Sequence, residues 1–507
     1  MTRTQASHIG TIIAGYGLGV LLTLSCGGSD KAKASNDAGG ADAGSGSDFP
    51  NIVVPDVRKE QIGDNVFDES RVQSYYLTLS DAEYAKLMDF STLLKNQWEV
   101  NDDRYVEASV KVGDVELPSI ALRFKGNYSI WGCVDFATKK RIERIEPFFG
   151  GIDVCQRFSL KLDFDRYVDR FRLDGLKKLN LHAMAADPSM LRERLGYSLF
   201  RDMDILAPRA VHARVFINGE YQGLFAVVEE VDGRFAAKRF PTTGDGNLFR
   251  DLWPSTTDAS ANTVMAALRT NEDPAIADVS DFLAFKNFVA SSTKADFATK
   301  VAPYVDLDYL ARYIVVDRGI NNFDGALAFY FGAGWGPNSG NHFWYDVGAG
   351  RFALIPWDFD KTFWYPEPNY WSDNAPNGKN IVPNWNVISN SCDGHTVYFD
   401  AVTVANGVRT EGSYGVREMD CDPFLKLLRG AIYDRQKAIA DAFIAGPFSE
   451  QSVATKLDVW RAQIADAVSE DQKVDSAKWQ SAVDDLQAKL PNLQENLSLM
   501  MSGLINE

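Results

Sequence analysis

Short strand-like stretches occupy much of the first half of the chain. Residues 73–79 and 158–164 alternate between hydrophobic and polar residues, which is the pattern of half-buried β-strands, and further strands are predicted at 107–112, 119–124, 213–217 and 223–228. Asn218-Gly219 joins the last two and is a strong hairpin-turn dipeptide. Helical periodicity interrupts the strands twice. A short helix begins with a capping pattern at Ser80, and an amphipathic helix opens at Asp187-Pro188-Ser189 and extends through Phe200.

The spacing of hydrophobic residues predicts that the second half of the chain is mostly helical. Residues 281–320 are mostly helical, and a second helical region extends from Pro423 to the C-terminus with a break at Gly446-Pro447. Between them, residues 351–357 form a predicted strand. A Pro-, Asn- and Trp-rich stretch follows this strand, and we predict that it is irregular to about residue 420.

The first 26 residues have the features of an export signal. A polar start with one arginine precedes an apolar, glycine-rich run of about 16 residues, shorter than the roughly 20 that a membrane-spanning helix needs. The run ends at Ser25-Cys26-Gly27, which resembles the cleavage site of bacterial lipoproteins, in which the cysteine becomes the lipidated first residue. We expect an extracytoplasmic protein whose only membrane contact is a lipid anchor at Cys26. The alternative is a freely secreted protein.

The remaining chain divides by composition and by the order of its elements. Residues 27–50 are almost wholly small and polar, which predicts a flexible tether after the signal peptide at residues 1–26. Strands in the first half and helices in the second indicate an α+β fold with two lobes. We therefore place a β-rich small lobe at residues 51–240 and a mainly helical large lobe, ending in C-terminal helices, at residues 241–507.

Net charge and cysteine content limit which binding partners and which cellular compartment are compatible with the sequence. A net charge of −17 argues against nucleic acid, and against an anionic membrane surface, as the main partner. Four cysteines follow Cys26, and an even number in an exported protein predicts two disulfides. Three pairings are possible, of which the local one, Cys133–Cys155 with Cys392–Cys421, is the simplest.

Several common catalytic signatures are absent from the sequence. It contains no Gly-x-Ser-x-Gly nucleophile elbow, no His-Glu-x-x-His zinc motif and no Walker A phosphate loop. The five histidines are scattered along the chain. Hydrolysis by a histidine-based triad or by a histidine-zinc centre is therefore disfavoured.

A pair of carboxylates comes directly after the predicted strand 351–357. Asp358 and Asp360 are two residues apart, so their side chains point to the same side if the backbone is extended. Two such carboxylates, together with phosphate oxygens, match the ligand preference of Mg²⁺. A turn or helix cap formed by the aspartate side chains is the ordinary alternative.

Other candidate residues lie within predicted elements or at their ends, and each alone has an ordinary structural explanation. Asp-Gly is common in turns, and asparagine is common in loops. A lone strand lysine is usually solvated, and acidic residues are typical of a helix surface or of the exit of a strand. The residues concerned are Asp324, Asn341, Lys161, Glu193, Glu229 and Glu230.

Six segments, in the same order, resemble the CotH family of secreted spore-coat-type kinases, and the resemblance extends from about Tyr75 to the C-terminus. The segments are Leu122-Arg-Phe-Lys-Gly-Asn127, Leu176-Lys-Lys-Leu-Asn-Leu181, Asp187-Pro-Ser-Met-Leu-Arg-Glu193, Val215-Phe-Ile-Asn-Gly-Glu-Tyr-Gln-Gly-Leu224, Val228-Glu-Glu-Val-Asp232 and Ile355-Pro-Trp-Asp-Phe-Asp360. The family is described as having an atypical, two-lobed protein-kinase-like fold that transfers phosphate from ATP to Ser or Thr of exported proteins. The resemblance therefore implies ATP and Mg²⁺ or Mn²⁺ as cofactors, and an exported or surface protein as the substrate.

The resemblance also implies roles for single residues, following the requirements of phosphoryl transfer. Asp324 is the expected catalytic residue, which orients or deprotonates the acceptor hydroxyl. Asp358 and Asp360 are expected to bind the metal, Asp358 being the essential one, with Asn341 as a second metal ligand. The expected cofactor-binding residues are Lys161 and Glu193 as the phosphate clamp, Lys125 as a rival phosphate contact, and Glu229 at the end of its strand.

The chain departs from the family pattern in three places. Asn322-Phe323-Asp324 stands where the family usually has Asn-Trp-Asp, and Lys125-Gly126-Asn127 stands where it often has Arg-Gly-Asn. Residues 331–340 resemble a small insertion between the loop aspartate and Asn341. This insertion puts the assignment of Asn341 in question.

Two other functions are compatible with the sequence. A catalytically inactive relative would serve as a structural or adhesive surface protein, although the retention of every acidic position argues against it. Alternatively, the Trp-rich region 335–385 would stack on sugars in a glycan-binding protein. The same aromatic residues would also serve to pack the large lobe.

Overall fold

The structure is a computed structural model that describes residues 62–96, 99–126, 130, 133–135, 137–142, 155–184, 186–240, 245–256, 260–332, 335–363, 385–389, 392, 395–405 and 408–506. The predicted signal peptide and tether, and residues 364–384 of the predicted irregular stretch, lie outside these ranges. Within them, no helix combines the length and the apolarity that crossing a membrane requires.

The strands are numbered in chain order. They are β1 (Gln73–Thr78), β2 (Leu94–Asn96), β3 (Glu99–Val100), β4 (Val106–Val112), β5 (Val115–Lys125), β6 (Val134–Asp135), β7 (Lys140–Arg141), β8 (Ser159–Asp163), β9 (Lys178–His182), β10 (Ala210–Ile217), β11 (Glu220–Glu229), β12 (Leu248–Arg250), β13 (Phe329–Gly332), β14 (Trp335–Asn338), β15 (His342–Gly348), β16 (Arg351–Pro356), β17 (Val387–Ile388), β18 (His395–Ala405), β19 (Val408–Arg417) and β20 (Ile505–Asn506).

The helices are numbered in the same way. They are α1 (Asp81–Leu87), α2 (Arg192–Asp202), α3 (Gly233–Arg239), α4 (Ala261–Ala266), α5 (Ser280–Ser291), α6 (Phe297–Lys300), α7 (Leu307–Gly319), α8 (Pro423–Ala445), α9 (Glu450–Ser469), α10 (Ser476–Ala488) and α11 (Leu490–Ser502). Short 3₁₀ segments occur at Phe90–Thr92 and Met419–Cys421.

Seven strands close into a barrel in the order β1-β10-β11-β9-β8-β5-β4. Neighbouring strands are antiparallel except β1 and β10, which pair in parallel. Successive side chains of a strand point to opposite faces of a sheet. Phe124 and Leu160 belong to the core inside the barrel. The residues that follow them, Lys125 and Lys161, therefore project from the outer face.

A second hydrophobic core lies outside the barrel, among the helices. Leu195 of α2, Ile314 of α7 and Phe443 of α8 are buried in it. Barrel strand β11 contributes to both cores, because Leu224 belongs to the second core and Phe225 to the core inside the barrel. The strands β12, β15 and β16 form a separate three-stranded sheet, and β13, β14, β18 and β19 form a four-stranded one.

The structure confirms the predicted α+β class and most of the predicted elements. The predicted strands correspond to β1, β4, β5, β8, β10, β11 and β16, and the predicted helical region 281–320 contains α5, α6 and α7. The predicted break at Gly446-Pro447 separates α8 from α9. The predicted boundary between the lobes at residue 240 stays a prediction.

One prediction about this half of the chain is wrong. The stretch predicted to be irregular to about residue 420 contains strands β18 and β19, which pair with each other in antiparallel fashion. Their sequences are rich in Val, Thr and Tyr, which favour strands. The Pro and Asn content of the residues before them concealed this preference.

Both disulfides have the local pairing. Cys133 pairs with Cys155 and Cys392 pairs with Cys421, with Cα–Cα separations of 5.1 and 5.5 Å. Cys133 and Cys155 are buried in the core inside the barrel. The prediction of two local disulfides is therefore confirmed.

Candidate active site

The outer face of strands β5, β8 and β9 carries a row of polar residues. Lys161 lies opposite Asn180 in the ladder between β8 and β9, and Lys125 is the last residue of β5. His182 ends β9, two residues after Asn180, so both side chains project from the same face. This face contacts helix α2 and Trp357, the residue that follows β16.

Lys125, His182 and Glu193 form a hydrogen-bonded chain. Lys125 Nζ lies 2.7 Å from His182 Nε2, and His182 Nδ1 lies 2.6 Å from Glu193 Oε1. An ammonium group only donates, so Nε2 accepts and the ring hydrogen is on Nδ1, which donates to Glu193. Burial, and then the charge of Lys125, lower the pKa of His182 to about 3, so the imidazole is neutral. The hydrogen-bond partner of Lys125 is therefore neutral.

Trp357 packs against the hydrogen-bonded residues Lys125 and His182. The centre of its ring system is 5.1 Å from Lys125 Nζ and 5.7 Å from the imidazole of His182, which it meets edge to face. Burial lowers the pKa of Lys125 to about 8, and the negative charge of Asp358 opposes this shift. The ammonium form of Lys125 therefore predominates at neutral pH.

Asp358 lies beside the hydrogen-bonded series Lys125–His182–Glu193 and has an unusual backbone conformation. Its φ is 61°, in the left-handed region that residues other than glycine seldom adopt, and such residues cluster at functional sites. Its N–H donates to the hydroxyl of Tyr197 in α2 at 3.0 Å. One ligand atom from each of Asp358, Glu193 and His182 lies within 4.8 Å of the other two. Burial, and then the charge of Glu193, raise the pKa of Asp358.

The donor atoms of this cluster fit a divalent cation. Glu193 Oε2 is buried and has no hydrogen-bond partner among the described residues. Both ring nitrogens of His182 are engaged in hydrogen bonds, so the carboxylates of Glu193 and Asp358 supply the oxygen atoms that suit Mg²⁺ or Mn²⁺. The group of three does not include Asp360, and the backbone at Asp358 is left-handed, whereas the predicted shared side of the two aspartates requires an extended backbone. Burial and the charge of Asp358 raise the pKa of Asp360 well above its usual range.

Helix α2 fixes the position of the segment 357–360. A Cβ atom at Gly196 would lie 2.7 Å from Phe359 Cδ2, so only glycine leaves room for this ring. The Phe359 ring also packs against Tyr197 and Phe200, with ring centres 4.7 and 5.2 Å apart. The aromatic residue between the two aspartates is thus locked onto the helix that carries Glu193.

Asp324 lies in the loop between α7 and β13, and two contacts connect it to the other loops of the site. Its Oδ2 accepts a hydrogen bond from Lys361 Nζ at 2.7 Å, and Asn341 Nδ2 donates to its backbone carbonyl at 2.8 Å. Lys361 is three residues after Asp358 in the chain. The ion pair therefore joins the loop of Asp324 to the loop of Asp358.

A buried network of hydrogen bonds anchors the loop of Asp324 to helix α7. Asn322 Nδ2 donates to Asp317 Oδ1 at 2.9 Å, and Arg318 donates to the carbonyl of Asn322 at 2.6 Å. A Cβ atom at Gly325 would lie 2.1 Å from Asn322 Nδ2. Glycine follows Asp324 because the Asn322 side chain occupies the space that a larger residue would need.

Lys161 makes its own ion pair on the outer face of the barrel. Its Nζ lies 2.5 Å from Glu230 Oε1, and Asn180 donates to the other oxygen of Glu230 at 2.7 Å. Burial alone would raise the pKa of Glu230, but the charge of Lys161 and these hydrogen bonds lower it to about 2. The charge of Lys161 is thus paired with a carboxylate, whereas Lys125 donates to the neutral imidazole of His182.

Glu229 points away from this face and joins a separate ion-pair cluster. It accepts hydrogen bonds from Arg209 at 2.9 Å and from Arg239 at 2.7 Å, and all three side chains are less than 10% exposed. Burial favours the neutral acid, but the charges of Arg239 and Arg209 outweigh it and hold the pKa of Glu229 well below its usual range. This arrangement gives Glu229 a role in holding β11, β10 and α3 together.

We expect Glu229→Gln to destabilise the fold without weakening nucleotide binding. The substitution leaves two buried guanidinium groups without their carboxylate, which costs about 3–5 kcal/mol. Denaturant-induced unfolding measures this loss, and Glu470→Gln, at a half-exposed ion pair with Arg214, is the control with an expected loss of about 1 kcal/mol or less. A loss of ATP affinity in Glu229→Gln at unchanged stability would instead support the cofactor-binding role that the resemblance implies.

The structure brings some of the predicted site residues together and separates others. Lys125, Glu193 and Asp358 form one cluster with His182, and Asn341 donates to the backbone carbonyl of Asp324. The predicted pairing of Lys161 with Glu193 is not among the contacts of the described residues, because these two residues bond to Glu230 and His182 respectively.

Two residues of the cluster were not predicted as site residues. His182 was set aside because the histidines are scattered, yet its position at the end of a strand, two residues after Asn180, places it on the polar face. Lys361 follows the carboxylate pair directly in the sequence. Its position directly after Asp358 and Asp360 is the sequence feature that could have identified it as a site residue.

The chain belongs to the CotH family. The family model, described as CotH kinase protein, matches residues 122–392, just over half of the chain. The matched region contains every candidate site residue named above. The family assignment made from the six segments is confirmed.

A curated relative supports the same assignment. The chain is similar to inner spore coat protein H of Bacillus subtilis (strain 168), with 28% identity over 228 residues. The alignment covers 42% of this chain and 59% of that protein, which is less than two thirds of the relative's length.

Proposed function

We propose that this chain is a metal-dependent protein kinase that transfers phosphate from ATP to Ser or Thr of an exported or surface protein. The proposal rests on a cluster of positively and negatively charged side chains. A lysine with a neutral hydrogen-bond partner, Lys125, lies beside the carboxylates of Glu193 and Asp358, and an ion pair ties the loop of Asp358 to Asp324. Phosphoryl transfer requires such a set of positioned charges rather than a covalent intermediate.

Lys125 is the residue that we assign to the phosphates of ATP. No carboxylate of the described residues forms an ion pair with it, so an incoming phosphate gains a charge-assisted hydrogen bond. His182 holds the ammonium group in place, and Glu193 fixes the orientation of His182. Glu193 thus acts on Lys125 through the imidazole, where a typical kinase has a direct lysine–glutamate pair.

Asp358 and Glu193 are the residues that we assign to the metal, with Asp360 and Asn341 as further candidates. A bound Mg²⁺ or Mn²⁺ would neutralise the negative charge of the phosphates. The left-handed backbone at Asp358, the Tyr197 hydrogen bond and the packing of Phe359 hold these carboxylates in position.

Asp324 is the residue that we assign to the acceptor hydroxyl. The hydroxyl proton passes to its carboxylate while the hydroxyl oxygen bonds to the terminal phosphorus and the bond from phosphorus to the ADP oxygen breaks. Lys361 holds the carboxylate of Asp324 in place by direct pairing. The hydrogen bonds of Asn322 with Asp317 and Arg318 anchor this loop to the end of α7.

The proposal extends to the two-lobed arrangement and to the location of the protein. The barrel supplies Lys125, and the residues after α7 and β16 supply Asp324 and Asp358, which is consistent with a kinase site between two lobes. Two disulfides, and a relative named as a spore coat protein, favour an extracellular or coat-associated location. A lipid anchor at Cys26 remains part of the proposal.

The test is transfer of labelled phosphate from ATP to a generic acceptor protein by the purified chain, with Mg²⁺ or Mn²⁺ and with a chelator as control. We expect metal-dependent phosphoserine or phosphothreonine in the acceptor or in the chain itself. No incorporation, combined with no thermal shift on adding ATP and metal, would contradict the proposal and favour a catalytically inactive structural or adhesive protein.

A further inference from the structure

A cavity lies on the side of the barrel strands opposite to Lys125 and Lys161. It has a volume of about 530 Å³ and sits at one end of the barrel, bordered by helix α1. We infer that it binds an anionic amphiphile, namely a long-chain fatty acid whose hydrocarbon chain enters the barrel and whose carboxylate meets a group of cations. The apolar residues that carry the argument are Leu87, Phe90, Phe124, Phe158, Leu160 and Phe225.

The apolar wall of the cavity is continuous with the core inside the barrel. The rings of Phe90, Phe124 and Phe158 form a cluster whose centres are 5.0 to 6.3 Å apart. A volume of this size is typical of small-molecule sites. Polar side chains, Gln156 and Gln222 among them, line the rest of the cavity. A hydrocarbon chain loses no hydrogen bonds against the apolar wall, so a cavity with one apolar and one polar side suits an amphiphile.

Three cations line the same cavity: Arg141, Arg157 and Lys473. Arg157 pairs with Asp471 at 2.6 Å, but Arg141 and Lys473 make no ion pair with any residue that the structure describes. The Nε atoms of Arg141 and Arg157 are buried and lack a hydrogen-bond partner within the described ranges. Burial, and then the charge of Arg157, lower the pKa of Lys473. An anionic head group would relieve this excess of positive charge.

The pair of Arg157 and Asp471 is a fixed part of the cavity wall. A Cβ atom at Gly223 would lie 2.3 Å from Asp471 Oδ2 and 2.7 Å from Arg157 Nη1, and the φ of Gly223 is 117°. Strand β11 therefore passes directly against the ion pair, which glycine alone permits. Because Asp471 is held by Arg157, the charges of Arg141 and Lys473 remain for a ligand.

The cavity is separate from the proposed kinase site. Phe124 and Leu160 point into the barrel, whereas the neighbouring Lys125 and Lys161 point outward. A fatty acid in the barrel therefore leaves the outer face open, and this inference does not depend on the proposed kinase activity.

The experiment is calorimetric titration of the full chain with dodecanoate, and with uncharged dodecanol as comparison, in the absence of nucleotide. We expect saturable binding of dodecanoate and binding of dodecanol that is weaker by about tenfold or more. In Arg141→Gln/Lys473→Gln, the affinity for dodecanoate should fall to that for dodecanol, while the affinity for dodecanol stays unchanged.

Two control variants separate this inference from the other claims. Lys111→Gln, which removes an exposed charge of β4, and Asp358→Asn, which affects the kinase site, should bind dodecanoate as the unaltered chain does. Absence of dodecanoate binding by the unaltered chain would overturn the inference. Equal affinity for dodecanoate and dodecanol would overturn it as well, and this comparison needs no variant to fold.

Discussion

Asp358→Asn and Asp324→Asn should each lower phosphate transfer by about 10³-fold, but only the first should weaken metal-dependent ATP binding. Asp358 lies in the carboxylate cluster with Glu193, so the neutral amide removes charge where the cation would bind. Asp324 contacts Lys361 and the loop of Asn341, so its replacement removes the proton acceptor and leaves the carboxylate cluster intact.

Transfer rates and ATP affinities of both variants, measured at several concentrations of Mg²⁺ or Mn²⁺, check this difference. Asn is nearly isosteric with Asp, and thermal unfolding of both variants provides the control for folding. Equal loss of ATP affinity in the two variants would contradict the separate roles. Full activity in Asp324→Asn would remove Asp324 from the mechanism.

Lys125→Met should lower transfer by about 10²–10³-fold, whereas Lys161→Met should have a clearly smaller effect. The prediction rests on the partners of the two lysines. Lys125 donates to a neutral imidazole and lies close to Asp358, while Lys161 is paired with Glu230 at 2.5 Å. The first lysine therefore has charge available for a phosphate, and the second is already neutralised.

The two methionine variants form a matched pair, because both remove an ammonium group from the outer face of the same sheet. Lys125→Arg should retain part of the activity, because it keeps a positive charge at a position where the family often has arginine. A larger loss in Lys161→Met than in Lys125→Met would favour Lys161 as the phosphate contact, as its place within a strand first implied.

The parts of the fold that local patterns determine were predictable from the sequence. The hairpin at Asn218-Gly219 was predictable from its turn dipeptide, and the break between α8 and α9 from Gly446-Pro447. The candidate aspartates were recognisable from short segments: Asp358 lies in one that the family shares, and Asp324 in one that differs from the family's Asn-Trp-Asp by a single aromatic residue. All of these features depend on residues close together in the chain.

The partners of the site residues were not predictable, because they depend on contacts between distant strands. The choice of Glu230 over Glu193 as the partner of Lys161 follows from the positions of β8, β9 and β11 in a closed barrel. Glu229 has a structural role because of the face of β11 on which it lies, and a shift of the strand register by one residue would place it on the other face. Neither fact is contained in the local sequence.

The ion pair between Arg157 and Asp471 has a consequence for the order of folding. The two residues are 314 positions apart, so this end of the barrel is not complete until the segment between α9 and α10 is in place. Contacts that span so much of the chain slow folding. In a protein delivered N-terminus first, the barrel strands would be present long before Asp471 arrives. The C-terminal helices, rather than the strands themselves, would then set the rate at which the barrel is completed.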